Sequence, residues 1–466
     1  MNKTVVFVSL TAALALTALV LGLPRLAPSH PASPVPTPRP ATASNGSLSM
    51  TSRLSHPYIT PGSADLFVTV DLTGVEVPGS KRTPVNLAVV IDRSGSMSGY
   101  KLQQAKQAAR HLVGQLGPED RLAIGHYGSD VKSLPSLPAT PANRERMLQY
   151  IEGIWDDGGT NIGAGLHAGR SHLVASRGDY RVNRIILMSD GQATEGITED
   201  AGLTEVVRGI RAEGITVSAI GVGTDFNEDL MQGFAEYGAG AYGFLEDAGQ
   251  LATLFQRDLQ QAATSVARNV ELSFTLPEGV TLGEVLGYRA HQEGRTVRVP
   301  LPDFSSGQVE RVVARLTVVG TRPGSAVDVT GLKLTYQDLL KDAGVESAAS
   351  LSAMVTERQE EVLARQDKDA TVYATRAMSA KNLKLAAQAL REGRKEEAKG
   401  YVMQNQALFE QASQVASPAA VEADLAEQKA VLLDYDQAND DEAVGAAVKR
   451  SKTRAAKSFG KLGSTY

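Results

Sequence analysis

The chain has no cysteine in its 466 residues. Disulfides, thiolate metal sites, cysteine nucleophiles and a lipid anchor on a cysteine are therefore excluded. It also lacks a basic excess. The net charge is −5, whereas a nucleic-acid-binding domain is normally clearly basic, so no nucleic acid is expected as a partner. Several enzyme signatures are missing too. There is no H-E-x-x-H string among His111, His126, His167 and His172, and the last two, five residues apart, do not share a helical face, so no zinc hydrolase is supported. A G-x-S-x-G elbow and a Walker run are absent, and Gly221-Val222-Gly223 lacks the remaining spacing of a dinucleotide fingerprint. What is present is an ordinary globular composition, 42% hydrophobic and 21% charged, in a chain long enough for about two to four domains.

Lys3 precedes Thr4–Leu23, a mostly apolar stretch without charge, which is followed by Pro24 and Arg25. The stretch is longer than a usual signal-peptide core and just long enough to span a bilayer. Residues 1–23 are read as a signal peptide or a signal anchor. Either reading puts the rest of the chain outside the cytoplasm, in the cell envelope, with membrane attachment if the segment is not cleaved. Residues 24–46 carry Pro24, Pro28, Pro31, Pro34, Pro36, Pro38 and Pro40 and read as a stiff, extended linker.

Ala64–Val77 alternates apolar and polar residues, so 47–84 is expected to supply the first strands of a β-sandwich. From Val85 to about Ala267, strands and helices alternate. Val85–Ile91, Leu122–Tyr127, Arg184–Ser189 and Thr216–Val222 read as strands. Lys101–Leu116, Asn143–Ile151, Ile162–Ala175, Glu199–Arg211, Glu228–Tyr237 and Leu251–Ala267 read as helices. This order predicts an α/β fold over 85–267: a doubly wound, mostly parallel sheet covered on both faces. Period two returns in Asn269–Thr275, Thr296–Val299, Gln308–Val319 and Ala326–Tyr336, so 268–345 reads as the rest of a β-sandwich into which the α/β unit is inserted. Residues 346–466 read as a helical C-terminal region, with helices meeting at Glu392-Gly393 or at Gly400. Lys449, Arg450, Lys452, Arg454, Lys457 and Lys461 lie on its last helix, either as a solvated face or as a contact for an anionic lipid or polymer.

One constellation carries chemistry. Asp92-Arg93-Ser94-Gly95-Ser96 follows the strand Val85–Ile91, Gly158-Gly159-Thr160-Asn161 precedes a helix, and Ser189-Asp190-Gly191 follows another strand. In an open α/β sheet, ligands bind outside the carboxyl ends of the strands. Asp92, Ser94, Ser96, Thr160 and Asp190 are thus expected on one rim. They are hard oxygen donors, suited to Mg²⁺, Mn²⁺ or Ca²⁺ and poor for zinc or copper. The same residues also have bland roles: Ser94, Ser96 and Thr160 as helix caps, and Asp190-Gly191 as a turn. Asp156 and Asp157 read as solvated loop carboxylates, and Trp155, the sole tryptophan, as loop packing.

With these residues in place the chain resembles the von Willebrand factor A domain family. The flanking strings Leu87-Ala88-Val89-Val90-Ile91-Asp92-Arg93-Ser94-Gly95-Ser96-Met97, Ile185-Ile186-Leu187-Met188-Ser189-Asp190-Gly191 and Ile220-Gly221-Val222-Gly223 are in the family's style. The layout is similar to that of bacterial envelope proteins with this domain and, distantly, to inter-alpha-trypsin inhibitor heavy chains. The resemblance implies a metal-ion-dependent adhesion site. Ser94, Ser96 and Thr160 would give hydroxyl ligands, Asp92 and Asp190 would bond directly or through water, and a Glu or Asp of a partner protein would complete the sphere. Where integrin-type sites carry an acidic pair, Ser98-Gly99-Tyr100 stands here.

The expected function is that of an exported, non-enzymatic protein-binding module, an adhesion or scaffold protein working through a Mg²⁺-type site. Two other readings stay open. In one, the metal site is vestigial and the sandwich and helical tail act as the scaffold; in the other, the ion activates water in a hydrolase.

Overall fold

The computed structural model describes residues 40–77, 83–223, 226–245 and 264–458. The expected signal segment 1–23 and residue Lys461 lie outside them. Among the described residues no helix is long and apolar enough to cross a membrane.

In chain order, four strands come first: β1 (Ala41–Asn45), β2 (Leu48–Leu54), β3 (Tyr58–Ile59) and β4 (Gly62–Gly74). The α/β region follows with β5 (Val85–Asp92), α1 (Tyr100–Gln115), β6 (Arg121–Tyr127), β7 (Val131–Pro138), α2 (Pro141–Glu152), α3 (Ile162–Val174), β8 (Val182–Ser189), α4 (Asp200–Ala212), β9 (Thr216–Val222), α5 (Glu228–Tyr237) and β10 (Ala239–Leu245). Next come β11 (Ser265–Thr275), β12 (Val280–Leu286), β13 (His291–Glu293), β14 (Thr296–Pro300), β15 (Phe304–Ser305), β16 (Val309–Gly320), β17 (Ala326–Asp338) and β18 (Ala343–Val355). Five helices end the described chain: α6 (Gln359–Ala364), α7 (Lys368–Arg391), α8 (Lys395–Val415), α9 (Pro418–Gln437) and α10 (Asp441–Ser458).

The α/β region is doubly wound around one sheet of order β10-β9-β8-β5-β6-β7, parallel throughout except for β7. Every residue of β5 is buried, because both faces of a central parallel strand are covered. Its side chains divide by the pleat. Leu87, Val89 and Ile91 pack with α1 and α2, whereas Ala88 and Val90 pack with α3, α4 and α5. The chain turns from β5 to β6 on one side and reaches β8 on the other, so a topological switch point lies beside the end of β5.

Two further sheets form a sandwich: β1-β2-β4-β16-β12, and β13-β14-β11-β17-β18-β3 with β15 on β11. Leu66, Val68, Val70 and Leu72 of β4 share a core with Leu272 and Phe274 of β11 and Leu334 of β17. The α/β region thus sits between β4 of one sheet and β11 of the other. Its joints to the sandwich are polar: Arg211 Nη2 lies 2.7 Å from Asp303 Oδ1, and Thr216 Oγ1 donates to Asp303 Oδ2 at 3.0 Å. Helix α7 covers the outer face of the first sheet, where Leu286 and Val313 join the apolar cluster of the helical region.

Several expectations need correction. Residues 346–355 are strand, not helix, because β18 pairs with β17 along its length and faces Leu351, Ala353 and Val355 into the sandwich core. Its alanines favour helix, but the ladder and core burial override that preference. Ala41–Asn45, read as linker, is an edge strand paired with β2. Of the helix expected over Leu251–Ala267, residues 251–263 lie outside the described residues, and Ser265–Ala267 open β11. The helical turn falls at Gly393, whose φ of 76° suits the left-handed end of a helix; Gly400 lies inside α8.

Three basic residues of the last helix, Arg450, Lys452 and Arg454, pair within the chain. Lys452 lies 2.8 Å from Glu228, Arg450 and Arg454 pair with Asp434, and Arg454 also approaches Glu427.

Candidate metal centre

Asp92 ends β5 and is fully buried. Its Oδ1 accepts the Ser94 N–H at 2.9 Å, and its Oδ2 accepts the Ser189 hydroxyl at 2.6 Å and the Tyr127 hydroxyl at 3.2 Å. Burial raises its pKa to about 6; the bonds from Ser189 and Ser94 oppose this, and the nearby Asp190 charge adds to it. Asp190, at the carboxyl end of β8, is 2% exposed. Its Oδ1 is buried with no hydrogen-bond partner, and its Oδ2 lies 3.4 Å from Lys101 Nζ. Two buried carboxylates thus face one site: burial raises the pKa of one, and the other has an orphaned oxygen.

The hydroxyls stand beside them. Ser94 Oγ and Ser96 Oγ are 3.1 Å apart. Neither caps a helix: Ser94 precedes the short 3₁₀ turn Gly95–Met97 without a side-chain cap bond, and Gly99 occupies the N-cap of α1. Thr160 is 3% exposed and is not a cap either, since Asn161 caps α3 by accepting the Ala164 N–H at 3.0 Å. Instead, Thr160 is fixed through its backbone. Its N–H donates to Thr194 Oγ1 at 2.9 Å, and its carbonyl accepts from the N–H groups of Thr194 and Glu195. The cap readings of the three hydroxyls therefore fail on the geometry, and the turn reading of Asp190 leaves its burial unexplained.

Three backbone contacts join the loops. Gly95 N–H donates to Gly158 O at 3.1 Å, Asp157 N–H to Arg93 O at 2.8 Å, and Asn227 N–H to Asp190 O at 2.8 Å. Gly158 holds φ of 79°, which a side chain would strain. Arg93 is 3% exposed and ties the loops together, reaching the Asp157 carbonyl at 3.1 Å, the Asp157 carboxylate at 3.3 Å and the Asp130 carboxylate.

Sequence reasoning missed Ser189, Tyr127 and Arg93. Tyr127 is the register partner of Asp92 across β5 and β6, a signal that exists only once the register is known. Trp155 does not pack the loop; it is 74% exposed, with the Lys106 ammonium 5.7 Å from its ring centroid. His126, in contrast, is mostly buried, and burial together with Arg93 and Lys132 lowers its pKa to about 4.

Comparison with known proteins agrees with the family resemblance. A family model described as von Willebrand factor type A domain matches residues 86–257. The Escherichia coli (strain K12) protein YfbK is 30% identical over 262 residues, covering 54% of this chain and 44% of that protein. Inter-alpha-trypsin inhibitor heavy chain H3 of Rattus norvegicus is 29% identical over 206 residues, covering 43% and 23%. The match thus spans less than half the length of either relative. Among solved structures, a von Willebrand factor type A protein from Catenulispora acidiphila superposes with a TM-score of 0.66 at 15% identity, covering 87% of this chain and 96% of that one. The ArnB paralog VWA2 from Sulfolobus acidocaldarius gives 0.55 at 18% identity, covering 89% and 99%. At these identities the likeness concerns the fold.

Proposed function

We propose that this chain, whose residues 86–257 are a von Willebrand factor type A domain, is an exported, non-enzymatic adhesion or scaffold protein that holds an acidic residue of a partner protein through a divalent ion. Asp92, Ser94, Ser96, Thr160 and Asp190 would hold the ion, with Mg²⁺ the first choice and Mn²⁺ or Ca²⁺ the others. The observation that carries the reading is the orphaned Asp190 Oδ1 in a buried site shared with Asp92. A buried polar atom without a partner is costly, and a cation between two buried carboxylates removes that cost. The donor set fits a hard ion, being all oxygen. When bound, the ion would supply an electrophilic position for an outside carboxylate.

The chain's own residues do the rest. Ser189 and Tyr127 fix the Asp92 carboxylate, Thr194 fixes the Thr160 backbone, and Arg93 holds the loop of Thr160 against the loop of Ser94. Arg93→Met is therefore expected to weaken Mg²⁺ binding by about 10–100-fold, as loss of an outer support typically does. The check is the Mg²⁺ midpoint of the Tm rise, and an unchanged midpoint would count against this role for Arg93.

Export rests on Thr4–Leu23, with the membrane as a further contact if that segment is retained. The vestigial-site reading has one observation in its favour: the Lys101 ammonium, 3.4 Å from Asp190, already places a positive charge at the site. The test of function is capture from an envelope extract in Mg²⁺ followed by elution with EDTA. Proteins released from the wild type but never held by Asp190→Ala are expected. Identical eluates from the two would defeat the proposal.

A further inference from the structure

Three large apolar side chains next to the rim loops are exposed to solvent: Tyr100 (67%) at the start of α1, and Trp155 (74%) and Ile197 (38%) on loops. Tyr100 and Trp155 are the only aromatic residues among the exposed large hydrophobic side chains of the described residues. All three sit within two residues of a direct contact to the site. Tyr100 precedes Lys101, whose Nζ approaches Asp190. Trp155 lies two before Asp157, whose N–H bonds the Arg93 carbonyl, and Ile197 lies two after Glu195, whose N–H bonds the Thr160 carbonyl.

These side chains are exposed but not loosely mounted. The buried Lys106 ammonium donates to the carbonyls of Glu152 and Ile154 at 2.7 and 3.2 Å, fixing the backbone just before Trp155. Tyr100 opens a regular helix. Aromatic side chains held in place before binding give contact area at a low ordering cost, which is why they anchor protein interfaces. The charges around them lean negative at the surface. Asp156, Glu199 and Asp200 are exposed, whereas Asp130 and Asp157 are partly neutralised by the buried Arg93, and Asp130 also by the exposed Lys132. A run of acidic residues would meet repulsion there; one carboxylate among apolar neighbours would not.

We infer that Tyr100, Trp155 and Ile197 form an apolar collar around the centre that recognises what flanks the bound carboxylate, and that the partner is a protein segment with a single Asp or Glu between apolar residues. This rests on the carboxylate-binding reading of the site. The test is a phage-displayed library of random peptides panned on the full chain in Mg²⁺ and eluted with EDTA, using the wild type and the double variant Tyr100→Ser/Trp155→Ser. Both positions are exposed, so the variant should fold, and an unchanged Mg²⁺-dependent Tm rise verifies that it does.

Wild-type eluates are expected to be rich in peptides with one acidic residue between apolar ones, and the double variant is expected to recover them at least about tenfold less well. Because Trp155 is the sole tryptophan, a selected synthetic peptide should shift its emission to the blue only with Mg²⁺ present. Metal-dependent peptides with acidic or random flanks, recovered equally by both proteins, would overturn the collar and leave the metal reading standing. Peptides held equally with and without Mg²⁺ would overturn the metal reading, and the inference with it.

Discussion

Asp92→Ala is expected to abolish the rise in Tm that Mg²⁺ gives the wild-type chain. An ion that binds only the folded state stabilises it by mass action, about 2.7 kcal/mol at a hundred times its Kd. Asp92 is the carboxylate most enclosed by the site's own residues, held by Ser94, Ser189 and Tyr127, so a variant without it has no comparable donor to offer. The metal-free proteins should differ for another reason. Burial raises the Asp92 pKa to about 6, but removing the carboxylate leaves the buried Ser189 and Tyr127 hydroxyls and the Ser94 N–H without their Asp92 acceptor, so the metal-free variant is expected to melt below the metal-free wild type. Calorimetry of both proteins with Mg²⁺ and with EDTA reads the two effects separately. A Mg²⁺ rise of equal size in the variant would remove Asp92 from the site. No rise in the wild type would favour the vestigial reading.

Asp303→Ala is expected to loosen the joint between the α/β region and the sandwich at a cost on the order of 3–5 kcal/mol. Asp303 and Arg211 are both mostly buried, with side-chain exposures of 16% and 14%, and lie 2.7 Å apart. Removing the acid leaves the guanidinium buried and without its partner. Burial by itself would raise the Asp303 pKa, but the charges of Arg211 and Arg184 and the bonds from Arg211 and Thr216 outweigh it and leave it below the ordinary value of 3.8. The sign of the pH effect follows. A depressed acid stabilises the folded state above its unfolded pKa, and the contribution is lost as pH falls through the folded value. The gap between wild type and variant in urea unfolding should thus be constant from pH 5 to 8 and close in strong acid. The double variant Asp303→Leu/Arg211→Met should recover part of the loss, since the Arg211 charge goes with its partner and only the Arg184 charge loses its acid. A single variant as stable as wild type at pH 7 would refute this role for the pair.

The parts of the site that were legible in sequence are those whose chemistry is local. A strand buried on both faces announces itself as Val85–Ile91, and the residues after it must then sit at its end. Asp92, Ser94, Ser96, Thr160 and Asp190 followed from that logic, and the structure does gather their loops on one rim. The supports could not be read in this way. Tyr127 acts on Asp92 through strand register, and Arg93 acts through two loops distant in sequence. The fold shows the same division. Thr216–Val222 and Glu228–Tyr237 have the predicted bounds because their apolar periods are strong. Strand β18 was missed because its inward positions include alanine, so neither its composition nor its pattern marks a strand until β17 lies beside it. Trp155 was misjudged because a tryptophan in a loop looks the same in sequence whether it packs inward or faces a partner.

The placement of the α/β region also bears on how the chain folds. Strand β4 ends at Gly74 and β11 begins at Ser265, and a Cβ added at Gly74 would lie 3.3 Å from the Val266 side chain. The sandwich therefore closes a loop that contains a whole folded region. For an unfolded chain, that closure carries the entropy of every intervening residue. Once the inserted region has folded, its two ends are constrained, and the effective loop is shortened by the length of that region. Local α/β contacts form faster than distant strand pairings such as β4 with β16. The inserted region thus acts as a template for the sandwich that carries it: its early folding brings the distant pairing of β4 with β16 nearer to a local one.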